Sequence, residues 1–179
     1  MSKRLLLPFF QQSNAVLIAQ QLLGKTLVRR FEDGRELRGQ ITETEAYFGT
    51  DDLASHASKG RTPRTEIMFG DGGYVYVYLI YGMYWLLNMV TGTEGAPEAV
   101  LIRGLTTVSG PGRLGKQLEL DKSFYGEDLS TSERLWLEDS SLAGTVTATP
   151  RIGVDYAGEI WKNMPWRFVL TPDQNNHRK

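Results

Sequence analysis

The chain has 179 residues, 41% of them hydrophobic, which suits one domain with a sizeable core and argues against a collagenous, disordered or multi-domain architecture. Cysteine is absent, which removes disulfides, iron–sulfur clusters, thiolate zinc sites and cysteine nucleophiles; with only His56 and His177 as imidazoles, no metal or other cofactor is expected. The 20 basic residues against 21 acidic ones give a formal charge of −1, so a surface for a polyanion has to come from uneven distribution.

Residues 1–10 begin basic and then turn apolar around Pro8, too short a run for a signal peptide or a membrane span. They and residues 171–179 are expected to be the poorly ordered ends of a single domain spanning 1–179. Ala15, Ile18, Ala19, Leu22 and Leu23 recur at helical spacing, with Ser13 or Asn14 as a cap and Gly24 as a stop, which predicts one core-facing helix. Residues 26–31 and 35–47 read as strands around Glu32-Asp33-Gly34, since Asp-Gly between β-prone runs is a hairpin signal. Period-2 geometry then places Ile41, Glu43, Glu45 and Tyr47 on one face of the second strand. Residues 48–72 show almost no periodicity and read as a long functional loop.

From residue 74 the pattern is β again. Tyr74, Tyr76, Tyr78 and Ile80 alternate with Val75, Val77 and Leu79, and after Tyr81-Gly82-Met83 the chain returns through residues 84–90 as an aromatic hairpin. Residues 99–105 form a strand with Arg103 embedded in it, and Ser109-Gly110-Pro111-Gly112-Arg113 opens a short helical stretch. Beyond residue 121 polar turns dominate, with closing strands over 146–154 and 166–170. The whole is expected to be one α+β domain with an antiparallel-rich sheet. The 74–90 stretch falls short of the ~20 residues a spanning helix needs, so a soluble, cytoplasmic protein without membrane contact is expected.

Four features could carry chemistry. In Glu43-Thr44-Glu45-Ala46-Tyr47 two carboxylates share a strand face, although an edge strand with solvated or arginine-paired charges would look the same. The loop around His56 holds Lys59, Arg61 and Arg64 among small residues, a local basic patch fit for phosphates or simply a solvated turn. The tyrosine ladder could be packing alone, but Tyr81 at the hairpin tip is out of phase with it and is a candidate wedge for a base stack. Arg103, flanked by apolar residues, needs an anion, and Glu45 or Glu43 is the obvious partner.

Together, residues 37–47, His56 with Gly60-Arg61-Thr62-Pro63-Arg64 and Met68-Phe69, residues 76–84, Asn88, Leu101-Ile102-Arg103, Ser109-Gly110-Pro111 and Arg151-Ile152-Gly153-Val154 resemble the alkyladenine (3-methyladenine) DNA glycosylase family, in order, over about residues 22–170. The resemblance implies a curved antiparallel sheet with peripheral helices and a protruding, DNA-inserting β-hairpin. It implies a monofunctional base-excision enzyme without lyase activity, monomeric and associated with the nucleoid in a prokaryote. Such an enzyme flips a damaged purine of the 3-methyladenine, 7-methylguanine, hypoxanthine or ethenoadenine class out of double-stranded DNA and leaves an abasic site. By the resemblance Glu45 is the general base, with Arg103 and the backbone carbonyl of Ile152 holding the water. Tyr47, His56 and Tyr78 sandwich the base, with Tyr76, Asn88 and Leu101 completing the pocket, Asn88 crowding the 2-amino group of guanine. Tyr81 and Met83 enter the duplex, and Lys59, Arg61, Arg64, Ser109, Gly110 and Arg113 meet the DNA backbone. Glu43 has no catalytic counterpart, and the connection between Arg103 and Ser109 is shorter than in some members. Two rivals stand beside this reading: a non-catalytic aromatic sheet that binds nucleic acid, and a carbohydrate hydrolase using Glu43 and Glu45 as acid and base.

Overall fold

A computed structural model describes residues 2–12 and 14–174. The helices are short: Leu7–Gln11 (α1) and Ala15–Gln21 (α2) come first, and the Asn14 side chain caps α2 by accepting the Leu17 N–H at 2.9 Å. The strands Thr26–Arg30 (β1) and Glu36–Phe48 (β2) follow, joined by the turn at Asp33-Gly34, and then Val75–Ile80 (β3), Tyr84–Val90 (β4), Glu98–Leu105 (β5) and Val108–Ser109 (β6). The helix Pro111–Gln117 (α3) leads to Leu135–Glu138 (β7), Gly144–Thr149 (β8), the helix Gly158–Lys162 (α4) and Arg167–Pro172 (β9). All pairings are antiparallel, in the order β3-β4-β5-β2-β1-β7, with β9 joining β2 over residues 43–45, β8 pairing with β9 and β6 with β5. This is the expected single-domain α+β architecture with few helices.

Alternation along β3, β4 and β5 gives the sheet two different faces. Val75, Val77, Leu87, Met89, Val100 and Ile102 point to one, where they join Phe10, Ile18, Leu22 and Leu114 in the main core. Tyr76, Tyr78, Leu86, Asn88, Leu101 and Arg103 point to the other and line a cavity. Helix α3 seals the core side against β4 at Gly115. A Cβ there would lie 1.9 Å from the Trp85 carbonyl oxygen, so only glycine permits this approach.

Several elements differ from expectation. The first ten residues are tied down where they are described: Phe10 is fully buried and the Leu5 N–H donates to the Leu137 carbonyl. Of the expected tail, residues 175–179 lie outside the described residues, while Thr171 and Pro172 pair with β8. The loop over 48–72 contains two single 3-10 turns, His56–Lys59 and Glu66–Phe69. The strand expected over 146–154 stops at Thr149, before Pro150, which has no N–H for a ladder. Ile41 does not share a face with Glu43, Glu45 and Tyr47. Register shifts between Ile41 and Thr44 reverse the alternation and send Ile41 into the main core with Ala46.

Candidate active site

The cavity on the polar side of the sheet has a volume of about 400 Å³, in the range of small-ligand sites. Its floor is Glu45, fully buried, on the central strand β2. One carboxylate oxygen, Oε2, accepts the Ile152 N–H at 2.7 Å; the other, Oε1, accepts the Tyr47 hydroxyl at 3.1 Å and lies 3.5 Å from Nη1 of Arg103 on β5. Burial pushes the Glu45 carboxyl above its usual range, opposed by the Arg103 charge, then the Ile152 N–H, then the Tyr47 hydroxyl. A carboxylate so placed is a stronger base than a solvated one. The Ile152 N–H thus anchors the carboxylate directly.

The walls are aromatic. The His56 and Tyr78 rings meet edge to face with centroids 4.6 Å apart, and Tyr76 lies 5.5 Å from Tyr78. The Tyr76 hydroxyl is 2.9 Å from His56 Nδ1, which fixes the imidazole where the first 3-10 turn presents it. Burial first, then the charges of Arg64 and Lys59, push the His56 pKa down to about 4, so the ring is neutral near pH 7. Burial, and after it the Glu45 charge, holds the Tyr47 phenol well above its usual value, and burial raises Tyr76 and Tyr78 as well. Asn88 and Leu101 are buried in register opposite each other on β4 and β5, and among the described residues the Asn88 amide nitrogen has no hydrogen-bond partner. The cavity therefore gathers Glu45, Arg103, Tyr47, His56, Tyr76, Tyr78, Asn88, Leu101 and Ile152.

Of the remaining predicted residues, only Tyr81 is among the described residues lining the cavity. Tyr81 forms the hairpin tip, 87% exposed, with φ of +51°, and Met83 beside it is exposed. Arg64 folds back so that its guanidinium carbon is 5.1 Å from the Tyr78 ring centroid. Lys59 and Arg113 are exposed, and Arg61 pairs with Glu66 at 3.1 Å, an acidic neighbour just past the basic patch. Ser109 is exposed, and the Gly110 N–H donates to the Arg103 carbonyl at 2.9 Å, which closes the turn into α3.

Sequence reasoning gave no role to the pair that braces this wall. Arg151 and Asp52, both side chains fully buried, meet through two hydrogen bonds of 2.6 and 2.9 Å. Asp52 also accepts the Phe48 and Ala54 N–H groups, and Arg151 donates to the Ala46 carbonyl while its guanidinium lies 4.9 Å from the Tyr47 centroid. The pair holds the His56 loop and the Ile152 segment against β2. Tyr156, which reaches the Ala54 carbonyl at 2.9 Å, and Arg167, bonded to Glu43 at 2.7 Å, were also missed; no local pattern marks either. Among the described residues no group of three or more His, Asp or Glu is gathered as a metal site requires, and no helix is long and apolar enough to cross a membrane.

The pattern of methylpurine-DNA glycosylase matches residues 8–109 and 105–174. A Legionella pneumophila (strain Paris) protein provisionally named 3-methyladenine DNA glycosylase is 46% identical over 177 residues, covering 94% of each chain. A mouse DNA-3-methyladenine glycosylase is 43% identical over 196 residues, covering 91% of this chain and 58% of the mouse protein.

Proposed function

The chain belongs to the methylpurine-DNA glycosylase family, and from that premise we propose that it is a base-excision repair enzyme that hydrolyses the N-glycosidic bond of damaged purines in double-stranded DNA. The observation that carries the reading is the buried Glu45 carboxylate at the floor of an aromatic cavity large enough for one base.

In this mechanism the target nucleotide leaves the stack, Tyr81 fills the gap with Met83 beside it, and the base enters between Tyr47, His56 and Tyr78. Exposed Lys59, Arg61, Arg64 and Arg113, with the Ser109-Gly110 turn, hold the flanking backbone. Purines alkylated at N3 or N7 are cationic, stack well on electron-rich phenols and meet a neutral His56 that does not repel them. The Asn88 amide nitrogen is a donor without an acceptor among the described residues. The 2-amino group of normal guanine is another donor, so bringing the two together leaves both unpaired and disfavours the undamaged base. As the base departs, positive charge develops on the sugar. Glu45 stabilises that charge, takes a proton from the water that attacks C1′, and has Arg103 and the Ile152 backbone to orient the water. Hypoxanthine and ethenoadenine are neutral, so each must gain a proton before or as it leaves, after which water attacks C1′ by the same route. Among the described residues no lysine lines the cavity, which supports a monofunctional enzyme that forms no Schiff base.

Single-turnover release from duplexes carrying one hypoxanthine or ethenoadenine, with methylated DNA in parallel, tests the reading. Free base is expected with the intact protein, and Glu45→Gln should slow its release by at least about 100-fold while lesion binding persists. Borohydride should trap no covalent complex. If the intact protein binds lesion duplexes but releases no base from any of them, the fold is a damage binder and Glu45 is not a base.

A further inference from the structure

Glu43 stands beside Glu45 on the same face of β2. Its Oε1 atom receives two guanidinium groups: Nε of Arg103 at 3.1 Å and Nε of Arg167, from β9, at 2.7 Å. Arg103 is therefore shared, with its Nε face turned to Glu43 while its Nη1 makes only a long hydrogen bond of 3.5 Å to Glu45. Arg167 is fixed in turn by Thr149 Oγ1 at 3.1 Å. All three side chains are largely shielded from solvent, Arg103 and Glu43 being 13% and 14% exposed and Arg167 24%, so small displacements of charge act through a medium less polar than water.

We propose that Glu43 is a positioning residue for base excision: shared between Arg167 and Arg103, it draws the Arg103 guanidinium toward itself and away from Glu45, leaving Glu45 able to take the proton of the attacking water. The inference rests on Glu45 acting as the general base. A guanidinium paired fully with Glu45 would stabilise its anion and weaken it as a base, whereas one held at arm's length still orients water and offsets the growing negative charge on it. The Glu43 charge works in the same direction, because a second carboxylate nearby makes Glu45 harder to ionise. The other charged or titratable groups facing Glu45 are Tyr47 on its own strand, Tyr78 on β3, and Arg151 and Tyr156 from the segment after β8; the substitutions below leave all four unchanged.

The two arms of this network give shifts of opposite sign. Glu43→Gln removes the anchor and a negative charge, so Arg103 closes on Glu45. Arg167→Met removes a positive charge and leaves Arg103 as the remaining arginine on Glu43, so Arg103 is drawn further from Glu45. The experiment is the pH dependence of single-turnover release from a duplex containing 7-methylguanine, a lesion already cationic, so that the acid limb reports ionisation of the general base. Relative to wild type, Glu43→Gln should move that limb down by roughly one pH unit and lower the plateau roughly 10-fold, and Arg167→Met should move it up by about half a unit. Far-UV circular dichroism and thermal melting establish that each variant folds. Lowered plateaus with both limbs unmoved, or both moved the same way, would overturn the inference while leaving Glu45 as the base. If Glu43→Gln does not fold, an upward shift in Arg167→Met upholds the inference and an unmoved limb rejects it. A Glu45→Gln control that keeps the wild-type rate and limb would remove the general base and the positioning residue together.

Discussion

His56 illustrates how a single residue couples site and stability. Its ring is packed against Tyr76 and Tyr78 and faced by Arg64 and Lys59, so protonation is driven down to about 4. An unfolded chain titrates its histidines near 6.5. Between those values the unfolded state holds more protons than the folded one, so the His56 contribution to stability is complete above pH 6.5 and is lost as pH falls toward 4. Glu45 acts in the opposite sense, because burial raises its carboxyl pKa and so favours the folded state as pH falls. The contrast between wild type and His56→Gln isolates the histidine. Urea unfolding at pH 7.5, 6 and 5 should show wild type losing about 1 to 2 kcal/mol relative to the variant, after allowance for a partly exposed ring. A difference that does not change with pH would mean that the ring is as easily protonated in the folded protein as in the unfolded one.

At the scale of elements, the hairpin of β3 and β4 shows a local cost retained at an exposed position. Tyr81 and Gly82 both have positive φ, +51° and +64°, and the Met83 N–H closes the turn on the Ile80 carbonyl at 3.1 Å. A β-carbon is strained in that region, and Asn-Gly is the pair that such turns favour. Tyr81→Asn should therefore raise stability by about 0.5 to 1 kcal/mol while weakening lesion-specific binding by roughly 10-fold or more, read by thermal melting and by competition between lesion and undamaged duplexes. The hairpin was legible in the sequence because alternating tyrosines and valines state their period directly. So were α2, with its cap at Asn14, and the turn at Asp33-Gly34. The bulge in β2 was not, since an inserted residue looks like any other until its partner strand is known, and Ile41 was assigned to the wrong face. β7 was missed because Leu135–Glu138 is too short to show alternation among polar turns. At the site, the residues sharing strand motifs were legible. Asp52 and Arg151 lie 99 positions apart, and neither segment carries a pattern that predicts the other.

On the scale of the whole molecule, a net charge of −1 gives little long-range attraction for DNA, so affinity must come from a few side chains near the cavity. Lys59, Arg64 and Arg113 are exposed there, while Arg61 is partly neutralised by Glu66. Binding to undamaged duplex should accordingly fall with salt at a log–log slope of about −3, and Arg61→Ala should change that slope less than Arg113→Ala. Titration by fluorescence anisotropy across a salt series measures both, and a slope twice as steep would require a second phosphate-binding surface. The same sheet that supplies the core with valines and leucines supplies the cavity with tyrosines, asparagine and arginine on its other face. This two-sidedness makes the family's pocket open to change by substitution and closed to change by insertion or deletion. One residue gained or lost within β3, β4 or β5 reverses every later position in that strand, driving aromatic and charged groups into the core and aliphatic ones into the binding cavity. Diversification of such a site therefore proceeds one side chain at a time at alternate positions, with length variation left to the loops.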